Sequence, residues 1–334
     1  MTPDPTALTS MVLVHPTFNL TTQVIAPGVS GLFEGCAYGL IALGIVLLYK
    51  SNRIFNFAQA EIASFGGLVT YALTTPPNGT FWPRLPFFVA CVLGVSASVV
   101  VSLLTERLVI RPLFDRPRVV LVVGTVGVLL LLAAVDGLAV LFGAGSAYKV
   151  HSIAVAFGGA QSDAALVVDR VRISYDQVLA LAVLVALAIG SLLFFRRTRT
   201  GTAILAVSQD PTAARVVGIS VARTSQITWG IAGLLAGIAG VVLALQPNTV
   251  NGPNILTGTV LVPSIAAAVL GGVTSLSGAF VGGVALGLFE AYANIDGANI
   301  PGLAQVPGLS GLAVFLVLLV VLLVRPQGLF GSET

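Results

Sequence analysis

The stretch GVSGLFEGCAYGLIALGIVLLY, residues 28–49, holds one charge, Glu34, in an otherwise apolar, small or aromatic run. It is long enough to cross a bilayer as a helix, which takes roughly 20 apolar residues. The pattern recurs at about 54–74, 86–105, 119–142, 176–195, 226–246, 257–273, 276–294 and 307–324. Of 334 residues, 56% are hydrophobic and 9% charged, and the mean hydropathy is +1.01. A soluble domain carries about 25% charged residues, so this chain lacks the charge to cover a soluble surface. The expected fold is an all-α polytopic membrane protein with about eight to nine hydrophobic segments.

Charge placement sets the expected orientation. Residues 1–27 hold no Lys or Arg, whereas a secretory signal needs a basic start. They read as a short extracytoplasmic tail. Lys50, Arg53, Arg107, Arg111, Arg116, Arg118, Arg196, Arg197, Arg199, Arg215, Arg223 and Arg325 fall on one side of the threading. Only Arg84, Lys149, Arg170 and Arg172 fall on the other. Cytoplasmic loops carry the excess of Lys and Arg. The N-terminus is therefore expected outside and the C-terminus in the cytoplasm. Residues 28–325 form one transmembrane domain, with an outside loop at 143–175, a cytoplasmic loop at 196–225 and a cytoplasmic tail at 326–334. The result holds whether 257–294 makes two spans or a re-entrant hairpin. In the outside loop, VVDRVRISY alternates in a way compatible with a small β-hairpin.

Glycine is abundant, at 37 residues. Small residues let membrane helices approach closely, and spaced pairs occur at Gly35/Gly39, Gly233/Gly237, Gly278/Gly282 and Gly283/Gly287. Gly271, Gly272, Gly278, Gly282 and Gly283 are the expected helix-packing positions. Cys36 and Cys91 lie in apolar runs and read as small core residues. His15 and His151 lie in loops without ligand-like spacing, so no metal site is expected.

The cytoplasmic loop contains QDPTAARVVGIS, residues 209–220, which is built like a soluble helix. Asp210 is a good N-cap, Pro211 suits the first helical position, and Gly218 can end the helix in a left-handed conformation. Ala213 and Val217, and Ala214 and Gly218, are spaced to form one small, smooth face. Such a face suits close approach by a soluble partner. The competing reading is a helix lying in the headgroups with Arg215 and Arg223 on phosphates.

The run TAARVVG, 212–218, resembles the short "EAA" loop of ABC importer permeases, with Thr212 in place of the usual Glu. Other stretches agree in order. GLFEGCAYGLIALGIVLLYKSNRIFNFAQAE, 31–61, resembles the first helix and "NFAHGE" segment of LivH-type permeases, with Gln59 and Ala60 at the usual His and Gly. ERLVIRPL, 106–113, resembles their "ER…RP" loop. RTRTGTAILAVSQDPTAARVVGI, 197–219, resembles their cytoplasmic loop, with Thr202 at a usual Arg. AAAVLGGVTSLSGAFVGG, 266–283, resembles their glycine-rich hairpin, with Ser277 at the usual Pro, and RPQGLFG, 325–331, resembles their ending.

The resemblance implies a LivH-type permease subunit of a branched-chain amino acid ABC importer in the bacterial cytoplasmic membrane. It implies ATPase subunits that dock on Asp210, Thr212, Ala213, Ala214, Val217 and Gly218. It also implies a second permease, a LivM-like paralogue or a second copy, and an extracytoplasmic solute-binding protein. The chain has no G-x-x-x-x-G-K-[ST] phosphate loop. ATP and magnesium are therefore expected on the ATPase partners, and no cofactor or nucleic acid on this chain. Glu34, Tyr38 and Glu61 are expected to line the solute path, because intramembrane acids usually face the bundle interior or a wet cavity. A structural role for them is the alternative, and is preferred for Asn56 and Gln59. Urea or short amides are the alternative cargo. A stand-alone channel or secondary transporter leaves the capped helix unexplained. An intramembrane enzyme is disfavoured by the absence of H-E-x-x-H and G-x-S-x-G.

Overall fold

In the computed structural model, residues 24–74, 85–139, 164–168, 171–244, 257–299, 309–325 and 327–331 are described. The helices are α1 (Ala26–Asn52), α2 (Gln59–Thr74), α3 (Phe87–Thr105), α4 (Arg118–Ala139), α5 (Tyr175–Arg197), α6 (Arg199–Gln209), α7 (Pro211–Val216), α8 (Val221–Ala244), α9 (Val262–Gly271), α10 (Leu276–Asn299) and α11 (Leu309–Val324). Each of the expected apolar ranges carries one of them. Among the described residues, six helices are long and apolar enough to cross a membrane: those based on α1, α3, α4, α5, α8 and α10. The others are shorter than a full span. Between α4 and α5, β1 (Ala164–Val168) pairs antiparallel with β2 (Val171–Ser174), so the small hairpin forms. The expected tail 1–27 and outside loop 143–175 lie largely outside the described residues.

One expectation needs correction. The second segment does not start as a helix near residue 54. Its helix begins at Gln59, and residues 54–58 turn back between α1 and α2. The apolar composition of IFNFA reads as a span, but Asn56 supplies the turn chemistry. Its Oδ1 accepts from Ala58 N at 3.1 Å and its amide donates to Gln59 Oε1 at 2.9 Å. Gln59 Nε2 then donates to the Ala232 carbonyl at 2.9 Å. Buried non-helical backbone in a membrane protein must find partners within the protein; Asn56 provides one for Ala58 N, and Gln59 ties the turn to α8.

The buried centre of the bundle is α1, apolar all round and enclosed along most of its length, as such a helix must be. Its closest neighbour is α10, and the contact is glycine on glycine. A Cβ on Gly283 would strike Gly39 backbone, and one on Gly287 would strike Gly35 backbone. A Cβ on Gly31 would stand 2.7 Å from the Gly287 carbonyl oxygen. The α8 pair Gly233/Gly237 packs on Ser102 and Ser98 of α3, where an added Cβ would stand 2.5 and 2.8 Å from their Cβ atoms. The spaced pairs are therefore packing seams.

Hydroxyls stitch the same layer. Ser98 Oγ donates to the Ile62 carbonyl at 2.8 Å and Ser102 Oγ to the Trp229 carbonyl at 2.6 Å. Such bonds hold membrane helices together where lipid offers no hydrophobic drive. Toward the outside of the bundle, α3, α4, α5 and α11 expose Val92, Leu130, Ile189 and Leu323, a surface suited to lipid.

The α9–α10 hairpin is the tightest turn. Gly271 and Gly278 sit backbone to backbone, and a Cβ on either would strike the other's carbonyl. Gly282 packs on the Ala267 carbonyl, and Gly272, at φ +95°, makes the turn. The segment after α11 returns to this turn. Leu329 N donates to the Leu270 carbonyl at 2.7 Å and Phe330 N to that of Gly271 at 3.3 Å.

Candidate functional site

The loop after α5 folds into two short helices. Thr198 caps α6, its Oγ1 accepting from Gly201 N at 3.0 Å. Asp210 caps α7, its Oδ1 accepting from Thr212 N at 2.8 Å and Ala213 N at 3.0 Å. Pro211 stands in the first turn. At the other end Gly218 is left-handed, at φ +85°. Gly218 N donates to the Arg215 carbonyl at 3.0 Å and Ile219 N to that of Ala214 at 2.9 Å. That pair of bonds is a Schellman cap. A helix of 6 residues has almost no intrinsic stability, so caps at both ends are what define it.

The face of α7 differs from expectation. Ala214 is 4% exposed and turned into the protein, whereas Thr212, Ala213 and Gly218 are exposed. The most exposed apolar side chains are Val216 at 84% and Val217 at 74%. The four small residues thus do not make one outward face. Periodicity gave the spacing, but only the packing of α7 on its neighbours fixes which side is hidden. Val216, the most exposed apolar side chain of α7, stands outside the spacing argument.

Beside α7 lies the end of α3, which widens into a π turn (Glu106–Ile110) and then tightens into a 3-10 turn (Arg111–Leu113). Glu106 is 1% exposed and paired with Arg111, whose Nη2 approaches both carboxylate oxygens at 3.0 and 3.1 Å. A buried carboxylate needs such a partner. A cavity of about 590 Å³ separates Glu106, Arg111, Phe114 and Asp115 from Arg215 and the segment Gly218–Ala222. The "ER…RP" and "EAA"-like stretches are therefore neighbours in space.

Two groups of acids lie inside the bundle. Glu34 and Tyr38, one turn apart on α1, meet Glu290 of α10, and the Tyr38 hydroxyl donates to the Glu290 carboxylate. Glu61, in the first turn of α2, is wholly buried, with no hydrogen-bond partner for either oxygen among the described residues. It faces Asp136 of α4, which accepts from Ser64 Oγ at 2.6 Å. Glu34 and Tyr38 are thus brought together, while Glu61 belongs to a separate cluster. Sequence spacing could not have paired Glu290 or Asp136 with them, because those contacts cross between helices far apart in the chain.

The family described as "Branched-chain amino acid transport system / permease component" matches residues 29–324. The chain belongs to this family. Among the relatives of this permease, BraD of Pseudomonas aeruginosa, named a high-affinity branched-chain amino acid transport system permease protein, is 30% identical. That match covers 91% of this chain and 94% of BraD. LivH of Methanocaldococcus jannaschii is also 30% identical, over 88% of each chain. LivH of Escherichia coli is 26% identical, over 90% of this chain and 94% of its own. The permease is a multi-pass protein of the cytoplasmic membrane and a component of an ABC-type transport system. Its relatives are named as transport permease proteins.

Proposed function

We propose that this permease forms half of the membrane pathway of an ABC importer for branched-chain amino acids. The observation that carries this reading is the family match over nearly the whole chain, together with a doubly capped helix that presents Val216 and Val217 to solvent. The excess of Lys and Arg on the α6–α7 side supports a cytoplasmic position for that side, with the N-terminus outside. A separate ATPase subunit receives α7 through Thr212, Ala213, Val216 and Val217. Asp210 and Gly218 shape the helix, and Ala214 seats it on the permease. ATP and magnesium bind the ATPase. A second permease, LivM-like or a second copy, completes the pathway, and an extracytoplasmic binding protein delivers the solute.

Closure of the ATPase pair on ATP moves α7, and rigid packing passes that motion to the bundle. The α1–α10 seam carries Glu34, Tyr38 and Glu290 at one depth, where intramembrane acids favour a wet path for a zwitterion. Glu61 contributes at a second depth. The test is purification of the tagged chain from its native membrane, mass spectrometry of what accompanies it, and leucine uptake by the recovered assembly in vesicles. A P-loop ATPase, a second permease and ATP-dependent leucine uptake support the reading. Recovery of the chain alone, moving solute without ATP, overturns it.

A further inference from the structure

A second cavity, of about 570 Å³, opens where α1, the end of α6 and the α9–α10 turn meet. Tyr49, Lys50, Arg53, Ser208, Gln209 and Thr274 line it, and no Asp or Glu is among its lining residues. Lys50 and Arg53 are both fixed in place. Lys50 Nζ donates to the Thr274 carbonyl at 3.0 Å, and Arg53 Nη2 to the Ser208 carbonyl at 3.2 Å. Arg53 also ends α1 in the left-handed region, at φ +56°, with its N–H on the Tyr49 carbonyl at 2.8 Å. A residue with a Cβ is disfavoured there, so the fold holds the guanidinium at this spot against a local cost.

The two cations lie close enough to repel each other. Each has donors beyond the one it uses here, since a guanidinium carries five N–H groups and an ammonium three. The carbonyls that they meet are neutral, and among the described residues neither cation is in a salt bridge. Asp210, which follows Gln209 of the lining, is occupied in capping α7. The cavity also lies at the end of a helix long and apolar enough to span a membrane, next to Tyr49. Basic pockets between helices at such an end suit anionic headgroups.

We infer that the cavity between α1, α6 and the α9–α10 turn binds a phosphate-bearing anion through Lys50 and Arg53. The source that fits its place at the end of a spanning helix is the phosphodiester of an anionic lipid. Ser208 and Gln209 immediately precede the α7 cap, so the bound phosphate braces the base of that helix against α1 and the hairpin turn. The site is independent of the cargo and of the direction of transport.

The test is the thermal unfolding midpoint of the purified assembly in detergent, titrated with dioleoylphosphatidylglycerol, with dioleoylphosphatidylcholine and with inorganic phosphate. Phosphatidylglycerol is expected to raise the midpoint saturably. Lys50→Gln and Arg53→Gln are expected to weaken its apparent affinity about fivefold each, and Arg53→Lys to restore it. Arg53→Lys loses the guanidinium contact to Ser208 as Arg53→Gln does, so the comparison separates charge from folding. The control Arg116→Gln, outside the cavity, is expected to bind as the parent does. If inorganic phosphate gives the same effect with the same variants, the site stands and its source is soluble. The inference is overturned if neither anion stabilises the parent, if the Lys50 and Arg53 variants bind like the parent, or if Arg116→Gln loses as much.

Discussion

The glycine seam between α1 and α10 makes a prediction whose sign depends only on position. A Cβ on Gly35 would stand 2.8 Å from Val284 Cα and 2.9 Å from the carbonyl oxygens of Gly283 and Val284. These are backbone atoms and cannot swing aside, so the two helices must part by about half an ångström. A gap of that size forfeits about a quarter of each contact's attraction, and the contacts number in the tens at about 0.1–0.2 kcal/mol each. Gly35→Ala therefore destabilises by about 1–3 kcal/mol, the usual range for overpacking. Gly127 of α4 is the internal control, because nothing lies within 4 Å of a Cβ there. Gly127→Ala should be neutral or slightly stabilising, since alanine is favoured over glycine in a helix by up to about 1 kcal/mol. Cys36 is buried and Cys91 half-buried, so a thiol-reactive dye reports unfolding during a thermal ramp in detergent. A midpoint lowered by Gly35→Ala and unchanged by Gly127→Ala is expected. Equal effects of the two would refute the claim that direct backbone contact holds this seam.

Other outcomes follow from the α6–α7 loop and the turn before α2. Asp210→Ala removes both accepted bonds at the start of α7 and should cost about 1 kcal/mol of local stability; ATP-driven uptake should fall, and Asp210→Asn should recover most of it. Val216→Glu with Val217→Glu should leave the permease folded by the dye assay yet reduce recovery of the ATPase in pull-downs. Ala214→Glu should instead lower the unfolding midpoint, because that position is buried. Gln59→Leu strands the buried Asn56 amide, a loss of about 1–3 kcal/mol, read in the same thermal assay.

Much of the architecture was legible because lipid simplifies the code. A run such as 28–49 has one stable option in a bilayer, a helix, and each expected range holds one. The α7 caps were equally legible, since Asp-Pro and the closing Gly act through local backbone bonds. What sequence could not give is orientation around an axis. Ala213 and Ala214 are chemically identical, yet one is exposed and the other buried, and only the packing of α7 decides that. The late start of α2 was hidden for a related reason. Ile54, Phe55 and Phe57 satisfy a hydropathy reading, whereas the turn depends on Asn56 and on an acceptor in α8. The partnerships of Glu34 with Glu290 and of Glu61 with Asp136 are long-range contacts that no periodicity reveals.

The return of the C-terminal segment to the hairpin turn has a consequence for the order of assembly. The carbonyls of Leu270 and Gly271 take their partners from Leu329 and Phe330, which are synthesised after all of α10 and α11. While the chain is still emerging, those two acceptors must rely on water or on the insertion machinery. The turn beside them cannot reach its final form until translation has passed Phe330. Sealing of the hairpin is thereby timed to the emergence of this segment, and a ribosome stalled before it would hold a protein with α1–α11 made and the hairpin unsealed.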